Sequence, residues 1–279
     1  SIKGGMTFNV KPAKPEVGTS LTVAGLQTQK MVESSMPIAR NTVKGAISAT
    51  LNIGGSGLNQ SDIIAGWKGN GSMDIKDAIF STLDVGTQVK AGVIDKLPGA
   101  IRSKANIPDK LLDKQGKYQN VGVKFALNSG VMNINEINGK AYPDAGLDLK
   151  GNGSVKLANY GLDLTLDIID TYNMLRLDNE VKDQRYGHFA VSPKVGGTLF
   201  EPKFDWGATL GKLLESAARQ QLATRGKEEL KKHLPGAAGG LLDKITGGGG
   251  GNNNNNTNPS PTQKPAEAVG KALKGLFGH

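Results

Sequence analysis

The residues best suited to chemistry in this chain are few and far apart. The three histidines, His188, His233 and His279, have no metal-ligand spacing, and there is no cysteine. Disulfide and thiolate chemistry are therefore excluded. Asp163 and Asp167 fall on one face of the run 162–168. A carboxylate pair could serve acid–base work, but here Leu162, Leu164 and Leu166 alternate with it. That pattern makes both aspartates ordinary outward polar residues of a half-buried strand. Gly69-Asn70-Gly71-Ser72 recurs as Gly151-Asn152-Gly153-Ser154. Each copy resembles the start of a dinucleotide fingerprint, but the third glycine is missing and strand-like sequence follows, not a helix. No nucleophile elbow, zinc-peptidase helix or phosphate loop is present. The expectation is a non-enzymatic protein with no catalytic residue, cofactor or metal.

Charge does not redirect this reading. The formal net charge is +9, and residues 208–279 hold ten Lys/Arg against five Asp/Glu. A basic tail suits anionic lipid or nucleic acid. Tyr118, Tyr142, Tyr160, Tyr172 and Tyr186 are scattered and do not form the base-stacking platforms of a single-strand binder. No nucleic-acid partner is expected, and a solvated surface is the plain reading of the lysines.

The elements that must position whatever this chain does are mostly strands. Period-two alternation marks Met6/Phe8/Val10, Leu21/Val23, Ile47/Ala49/Leu51/Ile53, Val121/Val123/Phe125/Leu127, Met132/Ile134, Leu147/Leu149 and Leu162/Leu164/Leu166. Such strands form antiparallel sheets with one apolar and one wet face. Turn signals separate them at 54–57, 128–130 and 138–139. The spacing of Val85, Val89, Val93 and Leu97 predicts an amphipathic helix stopped by Pro98. Shorter helices are predicted over 59–67 and 27–36, with a helical turn after Pro108. A long amphipathic helix is predicted over 208–234. Residues 247–256 are low-complexity Gly and Asn, and Pro259, Pro261 and Pro265 follow. The chain divides into a β domain with helical insertions at 1–206, an amphipathic helix at 207–235, a linker at 236–264 and a short helix at 265–279. No run reaches the ~20 apolar residues of a membrane span, so an anchor is expected outside this sequence.

Between the two Gly-Asn-Gly-Ser copies the offset is 82 residues, and Met73/Val155, Ile75/Leu157 and Phe80/Leu162 match in character. That predicts a repeated β unit, each copy opening a strand, and an extended apolar surface. The surface has two readings. It is covered by helices or a second sheet, or it receives lipid chains. About eight to ten strands at ~4.8 Å make a sheet roughly 40–50 Å across.

Residues about 45–206 resemble the C-terminal region of the AsmA-like proteins of Gram-negative bacteria. The resemblance rests on 69–75, on Phe125-Ala126-Leu127-Asn128-Ser129-Gly130-Val131, on 147–155, and on Val195-Gly196-Gly197-Thr198-Leu199-Phe200-Glu201-Pro202-Lys203-Phe204. The last is similar to the G-T-L-x-x-P strand near the end of such domains. The family departs from this chain at 85–117, at the Gly/Asn linker and at the terminal helix. The resemblance implies a mainly β fold with flanking helices: an extended, curved, largely antiparallel sheet with an apolar groove. It implies an envelope protein of the periplasm, anchored in the inner membrane through a segment outside this chain. It further implies lipid transport between inner and outer membranes, in support of outer-membrane homeostasis. Phospholipid acyl chains would lie on Val121, Val123, Phe125, Leu127, Leu147, Leu149, Leu162, Leu164 and Leu166. The alternative is an assembly or scaffolding protein that recruits an outer-membrane protein through a sheet edge or the 208–234 helix.

Overall fold

The computed structural model describes residues 1–215 apart from 12–13, 30–42, 58, 82, 114, 145 and 180. Among the described residues, eleven strands form one antiparallel sheet. They are β1 (Ile2–Asn9), β2 (Glu16–Gln27), β3 (Val43–Ser56), β4 (Lys68–Phe80), β5 (Gly116–Asn128) and β6 (Val131–Ala141). Then come β7 (Asp148–Lys156), β8 (Gly161–Ile169), β9 (Ala190–Val191), β10 (Lys194–Gly197) and β11 (Pro202–Asp205). Sequence neighbours pair in order from β1 to β8. The path then continues through β10 to β11, and β9 pairs with the far end of β8. Ten strands along this path at ~4.8 Å give a sheet of roughly 45 Å.

Odd-numbered residues 47–53 of β3, 69–75 of β4, 121–127 of β5 and 149–155 of β7 share one face, and their register assembles rows that cross the sheet. One row runs Leu21, Leu51, Gly71, Phe125, Ile134, Gly153, Leu164, Val195 and Phe204. A parallel row runs Val23, Ala49, Met73, Val123, Ile137, Gly151 and Leu166. Alternation along each strand thus becomes continuity across strands. The opposite face carries Asn70, Ser72 and Asp74 of β4, Lys124 of β5, and Asn152 and Ser154 of β7. There Lys124 Nζ donates to Glu136 at 2.7 Å.

Helices close one end of the apolar face. α1 (Gln60–Gly66) precedes β4. α2 (Val85–Gly92) begins where the Asp84 carboxylate accepts from Thr87 N–H at 3.0 Å. A 3₁₀ turn (Ile94–Lys96), α3 (Gly99–Arg102) and a second 3₁₀ turn (Asp109–Leu112) lead into β5. α4 occupies residues 207–215. Val85, Val89, Val93, Leu97 and Ile101 are buried with Ile47, Ile75, Val121 and Leu149 of the sheet. Leu175, Leu177, Phe189, Trp206 and Leu213 complete that core. A second cluster, Ile134, Val155, Leu164, Leu166 and Val195, consists of strand residues alone.

The helix expected over 85–97 ends early, at Gly92, and resumes as a 3₁₀ turn. Gly92 is where the Trp206 indole lies against the backbone. The helix over 59–67 and the turn after Pro108 form as expected. Of the helix expected over 208–234, residues up to 215 are helical and the rest lies outside the described residues, as do the linker and terminal helix. Most of the 27–36 segment also lies outside them.

The repeat is corrected. The first Gly-Asn-Gly-Ser does open β4, but the second sits in the middle of β7. Three antiparallel pairings separate β4 from β7, so the two copies run in opposite directions. The matches fail after Met73/Val155, because Leu157 lies in the turn beyond β7. The expected strand over 195–204 is a hairpin, β10 and β11, turned at Thr198 and Glu201, whose N–H groups donate to each other's carbonyls at 3.1 Å.

Candidate functional site

β5 places Val121, Val123, Phe125 and Leu127 on the apolar face, opposite Ile75, Met73, Gly71 and Gly69 of β4. Leu149 of β7 pairs with Gly139 and Ile168, and Leu147 precedes it on the same face. Leu162, Leu164 and Leu166 of β8 face Val155, Gly153 and Gly151. All nine residues therefore belong to one face, but they divide between two surroundings. Val121, Leu147 and Leu149 lie in the helix-capped core. Leu164 and Leu166 belong to the strand-only cluster, with Val123 and Leu162 packed against it. Phe125 and Leu127 line the rows that lead into it.

Glycine spacing shapes this face. A Cβ at Gly71 would meet the Phe125 ring at 2.5 Å, so the ring lies across the glycine of the neighbouring strand. At Gly153, φ is 145°, and a Cβ would meet the Asp163 carbonyl at 2.2 Å and the Leu164 Cα at 2.7 Å. Each bulky residue thus fills the space that its cross-strand glycine leaves. Bulges between Val23 and Leu26, between Lys44 and Ala46, and between Ile134 and Ile137 interrupt the ladders. Such bulges bend strands and increase twist.

The polar groups are brought together as loop fasteners. Asp148 accepts from Ala141 N–H at 2.8 Å, Thr171 Oγ1 at 2.9 Å and Lys140 Nζ at 2.9 Å. Asp170 accepts from the N–H groups of Met174 and Leu175, both at 2.8 Å, and burial pushes its carboxyl up from the ordinary value. Asp178 accepts from Phe189 N–H at 2.6 Å and lies 2.9 Å from His188 Nδ1. Asp167 accepts from Tyr186 Oη at 2.5 Å, from Ser192 Oγ and from both terminal nitrogens of Arg185 at 3.3 Å. Burial and the Asp167 hydrogen bond push the Tyr186 phenol up to about 12. Asp183 is also tied to Arg185, whose hydrogen bonds outweigh its burial and hold its carboxyl below the ordinary value.

Asp163 remains an outward polar residue as the alternation indicated, but Asp167 does not. It is a partly buried hub holding the loop that follows β8. Nothing local in 162–168 signals this, because its donors come from 185–192. Burial pushes the Tyr118 phenol in the capped core well above its usual range, with the Asp148 carboxylate adding to the shift. Among the described residues no group of three His, Asp or Glu could hold a metal ion, and no helix is long and apolar enough to cross a membrane.

No family model, curated protein or solved structure matches the chain.

Proposed function

We propose that the sheet holds or conducts phospholipid acyl chains along its apolar face, without catalysis, as a segment of an envelope lipid-transfer protein of the AsmA-like kind. The observation that carries this reading is the continuity of the apolar rows from β2 to β11, across and beyond the helix-capped end. The groove assigned here is the strand-only part, centred on Val123, Phe125, Leu162, Leu164 and Leu166. Val121, Leu147 and Leu149 form its capped end. Leu164 is only 9% exposed and Val195 only 2%, in a cluster built from strands alone. Side chains on a flat sheet do not bury one another so well, which supports a concave face bent by the bulges. Burying an acyl chain of about 16 carbons at ~0.8 kcal/mol per CH₂ yields on the order of 10 kcal/mol and needs no directional contact. The locale proposed is the periplasm, with the anchor contributed from outside this sequence.

The test is acyl-chain crosslinking with diazirine phospholipids on the purified chain, together with mass spectrometry of co-purified lipid. Adducts at Phe125, Leu162 and Leu164, lost in Leu164→Glu while the far-UV spectrum is unchanged, are expected. A folded protein that carries no phospholipid and gives no adduct on these strands refutes the reading.

A second reading is scaffolding through the β1 edge. Ile2, Met6, Phe8 and Val10 are 58–76% exposed there. Among the described residues β1 has one sheet neighbour, which leaves backbone donors and acceptors for an added strand. Protein adducts from β1 without acyl-chain adducts would favour it.

A further inference from the structure

We propose that the β1 edge pairs with β1 of a second copy of this chain, antiparallel, about a two-fold axis at Gly5. The inference rests on the scaffolding reading, in which this edge adds a strand, and names the partner. It does not depend on lipid. Backbone geometry comes first. Ser1 and Ala24 exchange both main-chain hydrogen bonds, at 2.7 and 2.8 Å. Alternation along the antiparallel ladder then turns the N–H and C=O groups of Lys3, Gly5, Thr7 and Asn9 toward β2. Those of Ile2, Gly4, Met6 and Phe8 point away from it, where no strand lies among the described residues.

The two edges of the sheet are built differently. β11 is four residues long, begins at Pro202 and carries Lys203 and Asp205. Brevity, proline and charge are devices that keep an edge unpaired. β1 is eight residues long, with no proline and no bulge against β2. Its one charge, Lys3, lies on the face opposite Ile2 and Met6. Pairing β1 with β1 joins the two unguarded edges and closes as an isologous dimer. Pairing it with β11 of another copy would be head-to-tail and would meet the guarded edge.

Register selects the second copy. With the axis at Gly5, Ile2 lies opposite Phe8 of the second copy and Gly4 opposite its Met6. No other antiparallel register gives all four outward residues a partner among themselves. Each such pair exchanges two hydrogen bonds, about eight in all. The side chains then continue the pattern of the sheet. Gly71 lies between Leu51 and Phe125, and Gly153 between Ile134 and Leu164. Gly4 has Leu21 on one side, with Leu21 Cδ1 3.2 Å from where a Cβ would stand, and no strand on the other among the described residues. Met6 of the second copy supplies the missing bulky neighbour. Ile2, Met6 and Phe8, 58–62% exposed in the single chain, each gain a cross-strand partner. Lys3 meets Thr7 of the second copy, so no like charges face each other. The apolar rows of the two copies join into one face of roughly 90 Å, twice the single sheet.

The chain has no cysteine, so a single introduced one reads this register cleanly. Gly5→Cys fits, because nothing lies within 4 Å of a Cβ there. Across the axis the two Cα atoms stand ~4.5 Å apart, a non-hydrogen-bonded pair within the disulfide reach of ~4.4–6.8 Å. Thr7→Cys is the control, since its mate lies four residues further along, at roughly 14 Å. Under mild oxidation of the full chain, Gly5→Cys should give a covalent dimer and Thr7→Cys should not.

Sedimentation velocity of the full chain over a concentration series, without oxidant, is the second readout. A single strand edge is small for an interface, so a dimer that dissociates on dilution is expected. Met6→Pro removes one outward N–H from each copy and leaves the ladder to β2 intact, as proline on an edge strand does. It should weaken the dimer at least roughly tenfold for the two hydrogen bonds lost, with the far-UV spectrum unchanged. Met6→Lys keeps the N–H but sets a charge on the apolar face, and should weaken the dimer too. A chain that stays monomeric across the series overturns the proposal. So does a dimer that both Met6 variants leave intact, or equal crosslinking of the two cysteine variants. If the chain is monomeric and β1 gives adducts with another protein, the second copy falls and the scaffolding reading stands. If it is monomeric and β1 gives none, both fall.

Discussion

Replacing Gly153 with alanine tests the interlocking on which the apolar face depends. The backbone at Gly153 has φ 145°, a region open to glycine and strained for other residues by ~1–3 kcal/mol. The added Cβ would also stand 2.2 Å from the Asp163 carbonyl oxygen and 2.7 Å from the Leu164 Cα. Both atoms are backbone, so no rotamer change relieves the contact, and the strands must part at about 1–3 kcal/mol. Alanine recovers ~0.4–1 kcal/mol by restricting the unfolded chain. The net expectation is destabilisation of about 2–4 kcal/mol. For a domain of this size that lowers Tm by roughly 5–15 °C. Gly5→Ala is the control: nothing lies within 4 Å of its Cβ on the exposed β1, and its stability should stay within ~0.5 kcal/mol. Urea titration followed by circular dichroism reads both. A Gly153→Ala protein as stable as the control would refute the claim that close strand approach at this glycine seats Leu164. In the lipid assay the same variant should also lose adducts at Leu164.

Asp167→Ala should leave Tyr186, Ser192 and Arg185 without their shared acceptor and cost about 2 kcal/mol. In ultraviolet titration it should bring the Tyr186 phenol down from about 12 toward 10. An unmoved titration would show that burial alone sets that value. Burial raises the Asp170 carboxyl, so the folded protein binds this proton more readily than the unfolded chain does. Its contribution to stability is present below the ordinary carboxylate range and is lost as pH rises through the raised folded value. The Tm of the parent relative to Asp170→Asn should therefore fall as pH rises through that window, and a difference flat with pH would contradict it. Trp206→Ala should cost about 3–5 kcal/mol, because the indole is 8% exposed, stacks on Phe204 at 5.6 Å and covers Gly92. A loss under 1 kcal/mol by urea titration would mean that the helical cap does not depend on it.

Much of the sheet was legible because alternation is a local property. Residues such as Leu162, Leu164 and Leu166 declare a strand and its faces within seven positions, whatever lies next to them. The short helix over 60–66 and the turn after Pro108 were legible for a similar reason, since Gly and Pro act on their immediate neighbours. Where each apolar residue ends up was not legible. Leu149 and Leu164 have the same pattern around them, yet Leu149 lies in the helix-capped core and Leu164 among strands only. The carboxylate hub at Asp167 was hidden because Tyr186, Arg185 and Ser192 reach it only after the chain has looped back.

The doubled Gly-Asn-Gly-Ser marks the boundary between the two kinds of information. Sequence by itself determined that each copy offers a strand with two glycines on its apolar side. It could not determine that the copies run in opposite directions, or that Phe125 would cover Gly71 and Leu164 would pack against Gly153. Those outcomes depend on register between strands, which is fixed by long-range pairing and by bulges. Sequence thus determined that an apolar face exists, and tertiary structure decided which part of it the helices seal and which part the strands alone enclose.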